Sequence, residues 1–171
     1  ITMKGDEVIP QGDVLITNDP YKTAGQLLDV TVLYPVFRRD PATGENRVIA
    51  FFGSTIHHTA VGGYGIGAGG RDVFEEGLWI PICKLMKAGE RNDDVWRFIL
   101  SNVRQPDHMA GDLHAQMASG EVGAQRLTAL CNHHDLNDIE ALADEIIRRS
   151  EDATRAAISA YQRQQGLPVT G

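Results

Sequence analysis

Residues 29–57 run DVTVLYPVFRRDPATGENRVIAFFGSTIH, from Asp29 to His57, and this stretch decides the fold. Val30, Val32, Tyr34 and Val36 recur at every second position, the spacing of a strand with one buried face. Asp40-Pro41-Ala42-Thr43-Gly44 is made of turn formers. A return run, Arg47 to His58, is richest in apolar residues at Val48-Ile49-Ala50-Phe51-Phe52. Thr43 is the midpoint between Asp29 and His57. Antiparallel pairing of Val30–Phe37 with Arg47–His58 about that turn therefore brings Asp29 opposite His57. A carboxylate and an imidazole then meet at the open end of a hairpin, a combination suited to acid–base chemistry or to a metal.

Outward from the hairpin the chain divides in two. Toward the N-terminus, Val14-Leu15-Ile16-Thr17 forms a further short strand. Leu78-Trp79-Ile80-Pro81-Ile82-Cys83-Lys84-Leu85 is apolar, but its proline predicts an edge strand or an extended arm. Beyond residue 90 the period changes to that of helices. Asn92 is a candidate N-cap before Asp93-Asp94, and Val95, Ile99 and Val103 fall on one face. Pro106 opens a second helix that runs through Met109, Leu113, Met117, Gly120, Ala124, Leu127 and Cys131. Its glycines predict either close packing or a break near Gly120. A last helix is expected from about Asn137, with Glu140 as a capping-box partner, and ends at Gly166 and Pro168. The expected class is α+β: N-terminal antiparallel strands and a glycine-rich loop over residues 1–90, then a helical half over 91–165.

Composition narrows the function. A net charge of −7 with scattered Lys and Arg offers no footprint for nucleic acid. No run of 18 apolar residues exists to span a membrane. Cys83 and Cys131 make neither a disulfide framework nor a zinc ribbon, which suits a reducing, cytoplasmic setting. The 42% hydrophobic fraction supports a packed core.

Four side chains cluster around the expected hairpin mouth: Gln26, Asp29, His57 and His58. Asp and His suit Mn²⁺, Zn²⁺ or Fe²⁺, and a usable site wants three ligands with open positions. Asp29 and His57 are strong candidates, and His58 is a possible third. Successive strand residues point to opposite faces, so His58 reaches the same ion only if the strand has ended. Gln26 is a poor ligand for a catalytic transition metal. Without a metal, the same residues make a hydrogen-bonded His–Asp pair closing a polar pocket. Asn18-Asp19-Pro20 predicts a turn that matters to function if it lines that pocket. Gly65-Ile66-Gly67-Ala68-Gly69-Gly70 contains G-x-G-x-x-G, yet no helix opens after it as a dinucleotide fold requires. Gly62–Gly70 is instead expected to be a loop beside the pocket. Ser54 lacks a nucleophile elbow. His133-His134 are expected at a helix C-terminus, and His108 and His114 at the surface.

In order along the chain, several segments resemble the hydantoinase B/oxoprolinase family. They are Gly12-Asp13-Val14, Asn18-Asp19-Pro20-Tyr21, Asp29-Val30-Thr31-Val32, Pro35-Val36-Phe37, His57-His58 with Gly62-Gly63, Glu75-Glu76-Gly77-Leu78-Trp79-Ile80-Pro81, Lys84-Leu85, Asn102-Val103-Arg104 and Gly111-Asp112-Leu113-His114-Ala115-Gln116. Family members are several times longer, so the resemblance implies one fragment, 1–171, of a larger hydantoinase B-like subunit. It implies work with a hydantoinase A-like, actin-like subunit that binds ATP and activates the substrate, a small cyclic amide or ketone. The carboxylase members carry His-x-x-Asp, a hairpin, then His, binding a manganese-type ion. By position Asp29 and His57 match, Gln26 stands where the first histidine would be, and Ala60 stands where the family often has Asp. Three readings follow. The first is an ATP-dependent hydrolase of hydantoinase or oxoprolinase type, with Asp29 and His57 as catalytic or ligating groups and Asn18 and Asp19 shaping the pocket. The second is a subunit of an acetone- or acetophenone-type ketone carboxylase. The third is a non-catalytic assembly subunit of a hetero-oligomer.

Overall fold

The computed structural model describes residues 9–58, 61–64 and 69–168. Five strands form one antiparallel sheet: β1 (Val14–Thr17), β2 (Asp29–Arg39), β3 (Asn46–His57), β4 (Cys83–Lys87) and β5 (Glu90–Arg91), in the order β3-β2-β1-β4-β5. The hairpin β2–β3 has the expected register at its open end, with Asp29 opposite His57 and Val30 opposite Ile56. Near the turn the pairing passes from Val36–Ala50 to Phe37–Val48, leaving Ile49 as the extra residue of a bulge. Asp40 Oδ1 accepts from Ala42 N at 2.8 Å and so closes the turn.

The arm at residues 78–85 departs from expectation. Leu78–Pro81 is extended but unpaired as a strand, and β4 begins only at Cys83. Pro81 therefore precedes the ladder, and β4 lies between β1 and β5 rather than at the edge. Asp13, buried, anchors this side through Lys84 Nζ at 2.8 Å and Ala88 N at 2.8 Å.

Three helices follow: α2 (Asp93–Ser101), α3 (Pro106–His133) and α4 (Glu140–Gln164). A fourth, α1 (Val73–Glu76), is a single turn between β3 and β4. The core lies between the sheet and the helices α2 and α3, where Val14, Ile16, Val30, Val32 and Leu85 meet Trp96, Ile99, Met109 and Leu113. Val103 falls outside α2. Asn92 precedes α2 as expected, but its side chain donates to Lys84 O at 2.8 Å instead of capping the helix.

Helix α3 runs unbroken through its glycines. A Cβ at Gly120 would come within 2.5 Å of Tyr34 Cβ, and one at Gly123 within 2.7 Å of the Phe52 ring. Gly120 and Gly123 are therefore places where the helix lies directly on β2 and β3, whereas Gly111 faces open space. Helix α4 begins three residues later than predicted, and Glu140 forms no capping box. Glu140 N donates instead to Asp138 Oδ1 at 3.0 Å, and Arg47 pairs with Asp138. No residue of α4 is buried. No described helix is long and apolar enough to cross a membrane.

Candidate functional site

At the open end of the hairpin, the strand register delivers Asp29 and His57 side by side. His57 Nδ1 lies 2.9 Å from Asp29 Oδ1. Gln26 belongs to the loop before β2. Its backbone turns tightly into the strand, with Asp29 N donating to Gln26 O at 3.2 Å. Its amide Nε2 donates to Asp29 Oδ2 at 2.9 Å and lies 3.1 Å from His57 Nδ1. Three side chains thus close a triangle. An ionised carboxylate only accepts hydrogen bonds, so His57 donates from Nδ1 and Gln26 from its amide. That tautomer leaves the other imidazole nitrogen as an acceptor. His57 is 46% exposed and Asp29 14% exposed, so the pair opens to solvent over a largely shielded carboxylate.

His58, the possible third ligand, does not join this triangle. The strand alternation holds to its last residue and turns His58 inward. Its side chain is 4% exposed, with Nδ1 3.2 Å from Asp112 of α3. Burial pushes its pKa below the ordinary imidazole value, partly offset by the Asp112 carboxylate.

Asn18 and Asp19 lie in the loop that leaves β1. Asn18 is fully buried, and its amide nitrogen donates to Leu27 O at 2.7 Å and Leu78 O at 2.8 Å. Its Oδ1 accepts from Ile80 N at 2.6 Å. The amide is thereby taken up by main chain, and Asn18 acts as the tie between the β1–β2 loop and the 78–80 arm. Asp19 Oδ1 accepts from Tyr21 N at 3.0 Å, and Lys22 lies 3.5 Å from Oδ2. It shapes a turn, as the Asn-Asp-Pro sequence predicts, with its side chain directed to that turn.

The described part of the glycine loop is folded against α1. Tyr64 N donates to Glu75 O at 3.1 Å, and Arg104 Nη2 donates to Gly63 O at 2.6 Å. A Cβ at Gly63 would meet the Glu76 carbonyl carbon at 2.5 Å, and its φ of +58° also favours glycine. The remainder of the expected loop, Gly65–Ala68, and Ala60 lie outside the described residues.

Among the described residues, no three His, Cys, Asp or Glu side chains gather at one point. The donors at the hairpin mouth are one carboxylate, one imidazole and an amide nitrogen turned toward both. This set falls short of the three strong ligands a catalytic transition metal wants.

Gln26 has a structural part that the sequence reading did not assign. As a metal ligand it is weak, yet its amide donates to the Asp29 carboxylate and lies against His57. Its spacing of three residues from Asp29, with a turn between, was the available signal.

Comparison with known proteins gives the family. The profile of the hydantoinase B/oxoprolinase family matches residues 2–168. The chain is 31% identical over 157 residues to the beta subunit of caprolactamase from Pseudomonas jessenii, covering 90% of this chain and 26% of the relative. It is 30% identical over 148 residues to 5-oxoprolinase of Dictyostelium discoideum, covering 85% of this chain and 11% of the relative. The crystal structure of the ATP-dependent caprolactamase shares the fold with a TM-score of 0.75 at 32% identity, covering 91% of this chain and 26% of that chain. A nucleotide-free acetone carboxylase structure, 18% identical, shares the fold at a TM-score of 0.66. The chain spans about a quarter of the length of the caprolactamase subunit, 26%. With a family profile matching nearly its whole length and an α+β fold shared with a solved relative, this chain belongs to the hydantoinase B/oxoprolinase family.

Proposed function

We propose that this chain forms the acid–base part of the B-type subunit in an ATP-dependent cyclic-amide hydrolase of hydantoinase or oxoprolinase type. The observation that carries the reading is the Gln26–Asp29–His57 triangle, open to solvent at the hairpin mouth of a member of this family. Asp29 fixes the His57 tautomer, and the free imidazole nitrogen then takes the proton of an attacking water. The water oxygen bonds to the activated amide carbon. The carbon–nitrogen bond breaks, and the ring nitrogen leaves with the proton that His57 returns. Gln26 holds the carboxylate in place and keeps one amide proton for the substrate. Activation of the carbonyl belongs to an actin-like partner subunit, which transfers the γ-phosphoryl group of ATP to the carbonyl oxygen and releases ADP. The acyl phosphate left after ring opening is hydrolysed by a second water to carboxylate and phosphate. The donor set gives no support to a resident metal, and no step here uses one. A cytoplasmic hetero-oligomer suits this division of labour.

The test is ATP hydrolysis by the complete assembly, with cyclic amides or ketones, with and without bicarbonate. Expected is cyclic-amide-dependent ATP turnover that is indifferent to bicarbonate, lost in the His57→Ala variant. Turnover that requires a ketone and bicarbonate would assign the chain to a carboxylase instead. Absence of substrate-dependent turnover, with the assembly intact, would leave it as an assembly subunit.

A further inference from the structure

One side chain of α3 ties the two strands of the hairpin together close to the candidate site. Gln116 is 1% exposed. Its amide Nε2 donates to Val30 O of β2 at 3.0 Å and to Ser54 O of β3 at 2.8 Å. A single amide nitrogen thus bonds both strands, and Val30 directly follows Asp29.

The strands need such a tie at this end. Strand β1 pairs with β2 from Thr31 to Leu33 and reaches no further toward the mouth. At Asp29 and Val30, among the described residues, the strand beside β2 is β3 alone, and β3 is the outer strand of the sheet. The mouth is therefore a two-stranded overhang, and two strands by themselves are marginally stable. Bonded and non-bonded residue pairs alternate along an antiparallel ladder. His58 N donates to Leu28 O at 2.9 Å, which makes Leu28–His58 a bonded pair. By alternation Val30–Ile56 and Val32–Ser54 are bonded pairs too, and Asp29–His57 is a non-bonded one. The separation of Asp29 and His57 is thus set by the pairs on either side, and Gln116 bonds the carbonyl of one of them. Alternation also places the amide and the acid–base pair on opposite faces. Gln116 comes from the core face, where Val30 and Val32 meet Leu113, and Asp29 and His57 project from the other.

An amide is a costly choice for this position. Gln116 Oε1 is buried and has no hydrogen-bond partner among the described residues. A buried polar atom left unpaired destabilises a fold. The carbonyls of Val30 and Ser54 keep their ladder donors, Ile56 N and Val32 N, whether or not the amide is there. Methionine, similar in shape and adaptable, would fill the same space with no unpaired atom. Stability by itself therefore gives no reason for glutamine here. What the amide adds, and a thioether lacks, is a bond to both strands at once.

We infer that Gln116 is a positioning residue for the Asp29–His57 pair: by bonding Val30 O and Ser54 O together it fixes the separation at which His57 Nδ1 meets Asp29. The inference rests on the acid–base reading above. Gln116 is sealed from solvent and acts through the backbone of the two strands. It gives the Gly111–Gln116 segment of α3 a part in the site.

The experiment uses the complete assembly with Gln116→Met. Leu113→Val, which removes one buried methylene on the preceding turn, is the control for lost stability alone. Expected in Gln116→Met is a fall of about tenfold in kcat with KM unchanged, in a protein as resistant to urea as wild type. Leu113→Val is expected to lower the urea midpoint and keep kcat. Wild-type kcat in Gln116→Met overturns the inference, and so does an equal loss of kcat in the control. If Gln116→Met does not assemble, Gln116→Leu is read by the same criteria. A measurement without turnover separates failure of this inference from failure of the acid–base reading. With the histidines of this chain nitrogen-labelled, NMR of the assembly reads the tautomer of His57, its signal identified by loss in His57→Asn. Wild type is expected to hold the Nδ1–H tautomer and Gln116→Met a mixture of both. Where no cyclic amide is turned over, that change still upholds the positioning role, whereas the same tautomer in both proteins overturns it.

Discussion

His57 and His58 follow one another in the chain and each meets an aspartate, yet the two pairs sit in opposite surroundings. His57 bonds Asp29 across a strand pair, with Gln26 closing the third side, and stands 46% exposed. His58 meets Asp112 across the sheet–helix interface, and there the exposure is reversed: the imidazole is 4% exposed and the carboxylate 48% exposed. One pair opens an imidazole to solvent over a shielded carboxylate, and the other shields the imidazole. Only the first arrangement presents its imidazole to solvent. The difference teaches that residue type and adjacency say little about acid–base work until strand alternation has been resolved into inside and outside.

The largest expected effect tests that distinction directly. Asp29→Asn removes the carboxylate that orients His57, and turnover by the assembly is expected to fall by about 10²–10⁴-fold with the fold intact by circular dichroism. His58→Asn should instead lower thermal stability while folded enzyme keeps most of its turnover. The comparison breaks if His58→Asn abolishes turnover in a protein as stable as wild type.

Gln26 offers a way to change the first pair without removing it. Gln26→His places a second imidazole beside Asp29 and His57, completing three strong ligands where wild type has two. Calorimetric titration is expected to show Mn²⁺ or Zn²⁺ affinity rising tenfold or more over wild type, since a third ligand converts a labile site into a held one. Equally tight stoichiometric binding by both proteins would mean that the ligands lie elsewhere.

The second pair depends on α3 lying flat on the hairpin, which Gly120 permits. A Cβ there would meet Tyr34 Cβ, an atom too close to the backbone to swing away. Gly120→Ala is expected to cost about 1–3 kcal/mol in urea denaturation, despite alanine's better helix propensity. A gain in stability would show that the helix and hairpin are not held as described.

A smaller effect concerns pH. The folded state holds the His58 pKa below 6.5, chiefly through burial. Between that depressed value and 6.5 the unfolded chain binds more protons than the folded one, so acidification favours unfolding. The urea midpoint is therefore expected to decline as pH falls from neutrality through 6.5 and to level off below the folded pKa. Asp112 raises the His58 pKa, so Asp112→Asn should deepen the decline. A shallower decline in that variant would contradict the assignment of causes.

The smallest effect belongs to α4, which contrasts with the sheet half as sharply as the two histidines contrast with each other. Leu142, Ile146, Ile147, Ile158 and Tyr161 are exposed, and no residue of this helix is buried. Ile146→Asp is expected to change the chain's own stability by less than about 0.5 kcal/mol. A larger loss, measured by urea denaturation of the isolated chain, would reveal packing of α4 on the rest of the molecule. Sedimentation of wild type against this variant would then report whether the apolar face drives association, as such faces do.

The hairpin, its register at the open end and the Asp29–His57 encounter were legible in residues 29–57, because alternation and turn chemistry act between near neighbours. The unbroken α3 was partly legible. Its period was clear, but glycines that signal close approach and glycines that signal a break look alike until a partner such as Tyr34 is seen opposite. The last helix misled at its start because Asp138 is engaged by Arg47 of the hairpin, a contact no local pattern announces.

Local order along the chain therefore determined which residues stand opposite one another in the hairpin and which helices follow. Tertiary packing alone decided the rest. It turned Gln26 onto the Asp29–His57 pair, and it sent His58 into the core against Asp112. It also laid Gln116 across both strands of the hairpin. The physical reason is that backbone hydrogen bonding and side-chain alternation are set by sequence neighbours. The surroundings of a side chain are set by whatever the folded chain lays across it, and a linear pattern does not contain that.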